Sequence, residues 1–253
     1  MSSDSLGDRL DFSRRADLRE WMDEPCSYAE FRDCLLDLEI VNRRVMAYRP
    51  TLEWVERLAR RLPSNMPLRI VDVGCGGGDM LRQIQKWANA KSISVSLTGI
   101  DLNPYAARAA MEFSSSCASI EWVTGDAFSY ESDTPIHGVI SSLFTHHLAD
   151  STLVKFVAWM EGIATRGWFI NDLHRGPWAY YSFKALATVM HWHRFVRHDG
   201  PISILRSFQP DDWERICAEV GIGLDGITIE KAFPARLCVS RMKDESRIHT
   251  RRT

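Results

Sequence analysis

The chain has 253 residues, of which 45% are hydrophobic and 25% charged, which suits a packed domain and excludes a disordered chain. Its net charge of −2 gives no polyanion-binding surface, so nucleic acid is not an expected partner. Six scattered cysteines without zinc spacing, a polar stretch 1–11 without a signal-peptide core, and no run near the roughly 18 apolar residues of a membrane span point to a reduced, cytoplasmic protein.

Residues 11–62 are helical in pattern and are expected to form an N-terminal cap. Leu18, Trp21 and Met22 form a first apolar cluster. Ser27-x-x-Glu30 reads as a capping box ahead of Phe31, Leu35, Leu38, Val41 and Val45 at helical spacing. Tyr48-Arg49-Pro50-Thr51 interrupts the pattern, and Thr51 is placed to cap a helix carrying Leu52, Val55, Leu58 and Leu62. Pro63 to Pro67 connects to the core, expected over 66–173 and again over 207–243. There the spacing predicts strand 68–74, helix 79–89, strand 94–101, helix 104–115, strand 120–125, strand 137–144, helix 150–163 and strand 167–172. Such alternation makes a mostly parallel sheet covered on both faces. It stops at residue 174. Residues 174–206 form an insert rich in rings: Trp178, Tyr180, Tyr181, Phe183, His191, Trp192, His193, Phe195 and His198, with a turn at Asp199-Gly200-Pro201. A helix follows from Pro210. Strands over 227–230 and 237–240 form a terminal hairpin, and the charged tail from Met242 is expected to fray.

Ile70, Val71 and Val73 run into Gly74 to Gly78 and then a helix. Strand, glycine turn and helix form a cradle in which backbone approaches a ligand and the helix N-terminus offers free N–H groups. The third glycine of a dinucleotide fingerprint would fall at Asp79, and no Gly-Lys-Ser/Thr of a P-loop is present. What remains, Asp72-x-Gly74-x-Gly76-x-Gly78, resembles motif I of the class I S-adenosylmethionine-dependent methyltransferases. Further pieces follow in order: Asp101 at the end of the second strand, Gly125-Asp126-Ala127-Phe128 after the third, and Ser141-Ser142-Leu143-Phe144 running into Thr145-His146-His147.

The resemblance implies an α/β, Rossmann-like fold. Its seven-stranded, mostly parallel sheet has helices on both faces and a C-terminal antiparallel hairpin, here with the helical cap and an inserted lid over 174–206. It implies S-adenosyl-L-methionine as cofactor and S-adenosyl-L-homocysteine as product. Asp72 is then expected near the ammonium, with Gly74, Gly76 and Gly78 passing close to the methionine portion. Asp101 would accept the ribose hydroxyls. Asp126 and Ala127 would read the adenine, sandwiched with Leu102, and Leu143 would lie beside the cofactor. Arg49 would pair with the methionine carboxylate.

Methyl transfer is an in-line displacement, so positioning dominates and a base is optional. His146, His147 and His174 are the candidate bases, and positioning alone stays open. A metal-dependent O-methyltransferase needs carboxylates at both the fourth- and fifth-strand ends. Asn171 and Asp172 could serve the fifth, but the fourth has Leu143-Phe144-Thr145, so no metal is expected. No Asn/Asp-Pro-Pro-Tyr/Phe motif of a nucleic-acid enzyme is present. The insert and its flanks, Phe169 to Arg175 and Val196 to Pro201, are similar to bacterial methyltransferases tied to polyketide and quinone-type natural products. Tyr48, Trp178, Tyr181 and His198 are the expected contacts of a small aromatic or lipophilic acceptor. A hydroxyl oxygen is favoured, with carbon as runner-up. A non-catalytic cofactor-holding module is the other class. A monomer or homodimer is expected.

Overall fold

The computed structural model describes residues 10–63, 65–114, 119–190 and 194–243. The expectations for the polar start 1–9, for Cys117, for His191, Trp192 and His193, and for the tail from residue 244 lie outside the described residues.

Seven strands form one sheet: β1 (Leu68–Val73), β2 (Val95–Asp101), β3 (Ile120–Thr124), β4 (Ile136–Ser142), β5 (Ala164–Leu173), β6 (Thr228–Ala232) and β7 (Arg236–Met242). Their order is β3-β2-β1-β4-β5-β7-β6. The pairs among β1 to β5 are parallel, while β7 runs antiparallel to β5 and β6 to β7. The strand order reverses at β1, between β2 and β4. In open sheets of this kind the crevice beyond the carboxyl ends at that point is where ligands bind.

Helices cover both faces. Trp54, Val55 and Leu58 of α2 (Arg49–Ala59) join Met80, Leu81 and Ile84 of α3 (Asp79–Lys91) over one face. Leu58 and Trp54 lie so close to Gly138 of β4 that a Cβ there would sit 2.7 Å from Leu58 Cδ2. Leu153, Phe156, Val157 and Met160 of α5 (Asp150–Ile163) and Trp213, Ile216 and Cys217 of α8 (Pro210–Glu219) pack the other face. α4 (Pro104–Phe113) lies against β2 and β3. Among the described residues, no helix is long and apolar enough to cross a membrane.

The cap is less helical than its pattern. Residues 10–26 run in irregular backbone with one 3-10 turn at Trp21–Asp23, and Leu18 and Trp21 are exposed. α1 (Tyr28–Arg44) begins at the expected capping box, where the Ser27 hydroxyl accepts from Glu30 N and the Glu30 carboxylate accepts from Ser27 N. α2 starts at Arg49 with Pro50 in its first turn, so Thr51 is inside the helix and is not its cap. Thr51 is buried and accepts from Asn171 Nδ2 at 3.1 Å.

The insert forms α6 (Pro177–Val189) and α7 (Arg194–Arg206). The expected turn at Asp199-Gly200-Pro201 lies within α7, with Pro201 inside the helix. A Cβ on Gly200 would stand 2.0 Å from Phe183, so this glycine lets the two helices approach. Cys34 and Val41 of α1, Ala187 of α6, and Phe195 and Val196 of α7 form one apolar cluster. Cap and insert are thereby joined above the sheet.

Candidate active site

A cavity of about 880 Å³ opens between the carboxyl ends of the strands and the joined cap and insert. Its floor is built from strand ends. Asp72 lies on β1, and the turn after it is pinned to β2, since Gly74 N donates to Ile100 O at 2.9 Å. Asp101 ends β2. Its Oδ2 accepts from Gly76 N and its Oδ1 from Asn103 N, both at 2.9 Å. Each carboxylate oxygen keeps a second lone pair for a ligand hydroxyl. Leu102, Asp126, Ala127 and Leu143 also line the floor. Asp126 is exposed at the rim and Ala127 buried. Leu143 has φ +53, a left-handed conformation uncommon for leucine, in the turn leaving β4.

The floor is rich in carboxyl groups. Asp72 is buried and its Oδ1 has no hydrogen-bond partner. Burial pushes its pKa well above the usual carboxylate range, and Asp79 and Asp101 add to the rise. Burial also raises Asp101, against the Gly76 and Asn103 N–H groups. Asp79, the first residue of α3, accepts from Tyr48 OH at 2.7 Å and from Asn42 Nδ2 at 3.1 Å. Three crowded carboxylates, one with an unpaired buried oxygen, suit a ligand with a positive ammonium and sulfonium.

Above β4 and β5 stands a second cluster. Asp172 of β5 accepts from Thr145 Oγ1 and His146 N, and lies 2.7 Å from His146 Nδ1. Burial opposes its charge. The His146 ring, the Thr145 hydroxyl and the Leu173 N–H outweigh that and hold Asp172 well below the usual range. An ionised carboxylate only accepts, so the hydrogen sits on Nδ1 and His146 Nε2 faces Glu20 Oε1 at 3.7 Å. His147 repeats the arrangement, with Nδ1 2.9 Å from Asp23 Oδ1 and Nε2 3.9 Å from Glu20 Oε2. Glu20 is 4% exposed, and burial raises its pKa to about 7, against His147 and Arg206. The irregular N-terminal segment carries Glu20 here. Asp199 of α7 holds that segment, accepting from Trp21 N and Met22 N, and Arg15 Nη2 donates to Leu148 O.

Residues 70–167 match a family model described as a methyltransferase domain. No curated protein matches the chain. Among solved structures the chain is similar to the plantazolicin methyltransferase BamL, in complex with a triazolic desmethylPZN analog and S-adenosylhomocysteine. That likeness has a TM-score of 0.60 at 13% identity and covers 80% of this chain and 87% of that one. It is also similar to the magnesium protoporphyrin IX methyltransferase ChlM from Synechocystis PCC 6803 with S-adenosylhomocysteine bound (TM-score 0.53, 14% identity, 88% and 90% covered). A third likeness is the CMeT domain of the citrinin polyketide synthase (TM-score 0.56, 17% identity, 77% and 52% covered). The matched residues hold Asp72, the glycine turn, Asp101 and Asp126. Residues 70–167 thus match a methyltransferase domain, within a chain whose fold is that of methyltransferases solved with S-adenosylhomocysteine.

Not every expected site residue lines the cavity. Gly78 does not. It caps α3 at φ +73, and a Cβ there would lie 2.1 Å from Trp122, so it makes room for an indole. Arg49 lies outside, exposed on α2 and paired with Glu53 Oε1 at 2.7 Å. Two other guanidinium groups line the cavity, Arg44 and the buried Arg236, whose Nη2 donates to Asn42 Oδ1. His174 stays outside, half-buried, its N–H on Ala235 O; burial, Lys231 and Arg175 push its pKa down. Tyr181 is exposed away from the cavity. His198 does not line it either: its ring stacks on Trp21 at 3.8 Å and its Nδ1 pairs with Asp199. Tyr48, Trp178, His146 and His147 do line it. Sequence reasoning missed Glu20, Asp23, Asn42, Asp79 and Arg206. Asp79 alone had a signal, as the acid standing where another fingerprint has glycine.

Proposed function

We propose that the methyltransferase transfers its methyl group to a hydroxyl of a small, largely apolar, aromatic acceptor. The carrying observation is the continuity of the cavity. The carboxyl-rich floor runs without a wall into a chamber lined by Phe31, Leu38, Phe183, Leu186, Phe195 and Ile204, with His146, His147 and Glu20 as its polar tips. Its volume lies high in the range of small-molecule pockets, which suits a cofactor and an acceptor held together. Asp72 and Asp101 take the ammonium and ribose, and Arg44 or Arg236 takes the methionine carboxylate in place of Arg49. The cluster above β4 and β5 receives the acceptor hydroxyl and helps its proton leave; the oxygen then displaces S-adenosylhomocysteine in line. Carbon is the second reading, favoured by the likeness to a polyketide synthase CMeT domain. The test is transfer of labelled methyl to a panel of phenols, 1,3-dicarbonyls and amines, beside titration with S-adenosylhomocysteine. Tight cofactor binding with no phenol methylated would sink the hydroxyl reading.

A further inference from the structure

We propose that Glu20, His146 and His147 hold one divalent cation of the zinc class at the acceptor end of the cavity. Its use in catalysis rests on the acceptor reading above; its binding does not. One ligand atom from each of the three side chains lies within 4.8 Å of the others. The two imidazole nitrogens stand 3.7 and 3.9 Å from the Glu20 oxygens. Ligands of a tetrahedral ion at about 2.0–2.1 Å stand roughly 3.4 Å apart, so seating one draws the three ligand atoms together by at most about 1.4 Å.

The surroundings carry the argument further. Both rings have the nitrogen away from Glu20 held by a carboxylate, Asp172 at 2.7 Å and Asp23 at 2.9 Å. A carboxylate behind each histidine fixes the ring and presents its other nitrogen, which is how metal-binding histidines are oriented. Here the two presented nitrogens converge on one carboxylate from a distant part of the chain. Glu20 Oε1 is buried and accepts no hydrogen bond. Such a group is costly without a cation to face. Arg206 answers only part of the charge: its Nη1 is 2.6 Å from Asp23 Oδ2 and 3.4 Å from Glu20 Oε1. Glu20 and Asp23 thus share one guanidinium in contact, which leaves negative charge for a cation to balance. Two imidazoles and a carboxylate suit zinc and its neighbours, whereas magnesium and calcium take oxygen ligands. All three side chains line the cavity, so a remaining coordination position faces the acceptor. A hydroxyl placed there loses its proton to solvent more readily, and its oxygen takes the methyl as the sulfur–carbon bond breaks.

The experiment uses untagged, chelator-stripped full-length protein titrated with zinc chloride in a calorimeter and with cobalt(II) in a spectrophotometer. One equivalent per chain is expected, with the intense visible bands of four-coordinate cobalt. Affinity should fall about tenfold or more in Glu20→Gln and in His147→Gln, and stay unchanged in His174→Ala, whose imidazole lies outside the cavity. Melting curves and S-adenosylhomocysteine titrations on the same samples report folding and the cofactor site separately. Absence of saturable stoichiometric binding, or equal affinity in folded Glu20→Gln and His147→Gln, overturns the proposal. Zinc bound as expected with no phenol methylated upholds the site and overturns only the acceptor reading.

Discussion

Gly78→Ala separates a glycine that packs from a glycine that makes room for a ligand. Gly78 has φ +73, and a Cβ there would lie 2.1 Å from Trp122 Cη2 and 2.6 Å from Cζ3. Carbons normally meet at about 3.5–4.0 Å, so the overlap exceeds about 1 Å. The indole has little freedom to withdraw, because the adjacent Cε3–Cζ3 edge of the same ring lies over Gly99, where a Cβ would be 2.7 Å away. The left-handed backbone costs alanine about 1–2 kcal/mol. Overpacking costs about 1–3 kcal/mol more. The sum, about 2–5 kcal/mol, lowers Tm by about 4–20 °C in a chain of this size. Gly76 differs. Its φ is +49, and the nearest atom to an added Cβ is Leu35 Cδ2 at 3.2 Å, a side-chain end that can shift. Gly76→Ala should therefore lose about 1–2 kcal/mol of stability but more of its cofactor affinity. Urea denaturation gives the stabilities, and titration with S-adenosylhomocysteine below both transitions gives the affinities. Trp122→Leu in the Gly78→Ala background should recover part of the loss, with a coupling of about 1–3 kcal/mol. Wild-type stability with lost affinity in Gly78→Ala would refute the packing argument and return Gly78 to the cofactor.

Asp101→Ala should weaken S-adenosylmethionine binding by about 1–3 kcal/mol, the scale of hydrogen bonds to a charged group, and unchanged affinity would remove Asp101 from the ribose site. Asp72 has its pKa raised by burial and then by Asp79 and Asp101, so the ligand-free fold holds a proton that the unfolded chain sheds first. Stability should fall as pH rises from about 4 toward the raised value, and Asp72→Asn should flatten that fall; superimposable melts across pH in both proteins would count against it. Arg49→Ala should leave the cofactor Kd unchanged, since its guanidinium pairs with Glu53 on the surface, and a clear drop would put it back in the site. Trp178→Ala should raise the acceptor KM with little change in Tm or cofactor affinity, while Tyr181→Ala should do neither. A parallel loss of all three in Trp178→Ala would show that ring to be core.

The sheet was legible because its signals are local. Runs such as Ile70-Val71-Asp72-Val73 and Ser94 to Asp101 combine β-branched residues with turn residues at βαβ spacing, and each strand keeps its place within a residue or a few. Parallel strands must be joined by crossovers, so the alternation itself dictates most of the topology. The floor of the cavity followed, since Asp72, Asp101 and Asp126 stand at or just beyond strand ends, where the backbone alone aims them.

Elsewhere the same kind of local reading failed for identifiable reasons. Asp199-Gly200-Pro201 has turn chemistry, but tertiary packing keeps it helical: Gly200 admits Phe183, and Asp199 caps two N–H groups of the N-terminal segment. Residues 11–26 show helical spacing, yet their backbone is tied to Leu205 and Asp199 and the Arg15 side chain to Arg206 O instead. His174 stands just past β5 and His198 in the insert, and only three-dimensional packing keeps them out of the cavity.

The expectation of no metal rested on the missing acid after β4. Glu20 reaches the histidines from a segment with no motif, across most of the sheet-forming chain. Composition, periodicity and glycine spacing thus determined the fold class and the floor of the cavity, because these depend on backbone geometry and neighbours in sequence. The end of the cavity above β4 and β5 was decided by tertiary structure alone, because burial, convergence of side chains and the pairing of buried charge exist only once distant segments have met.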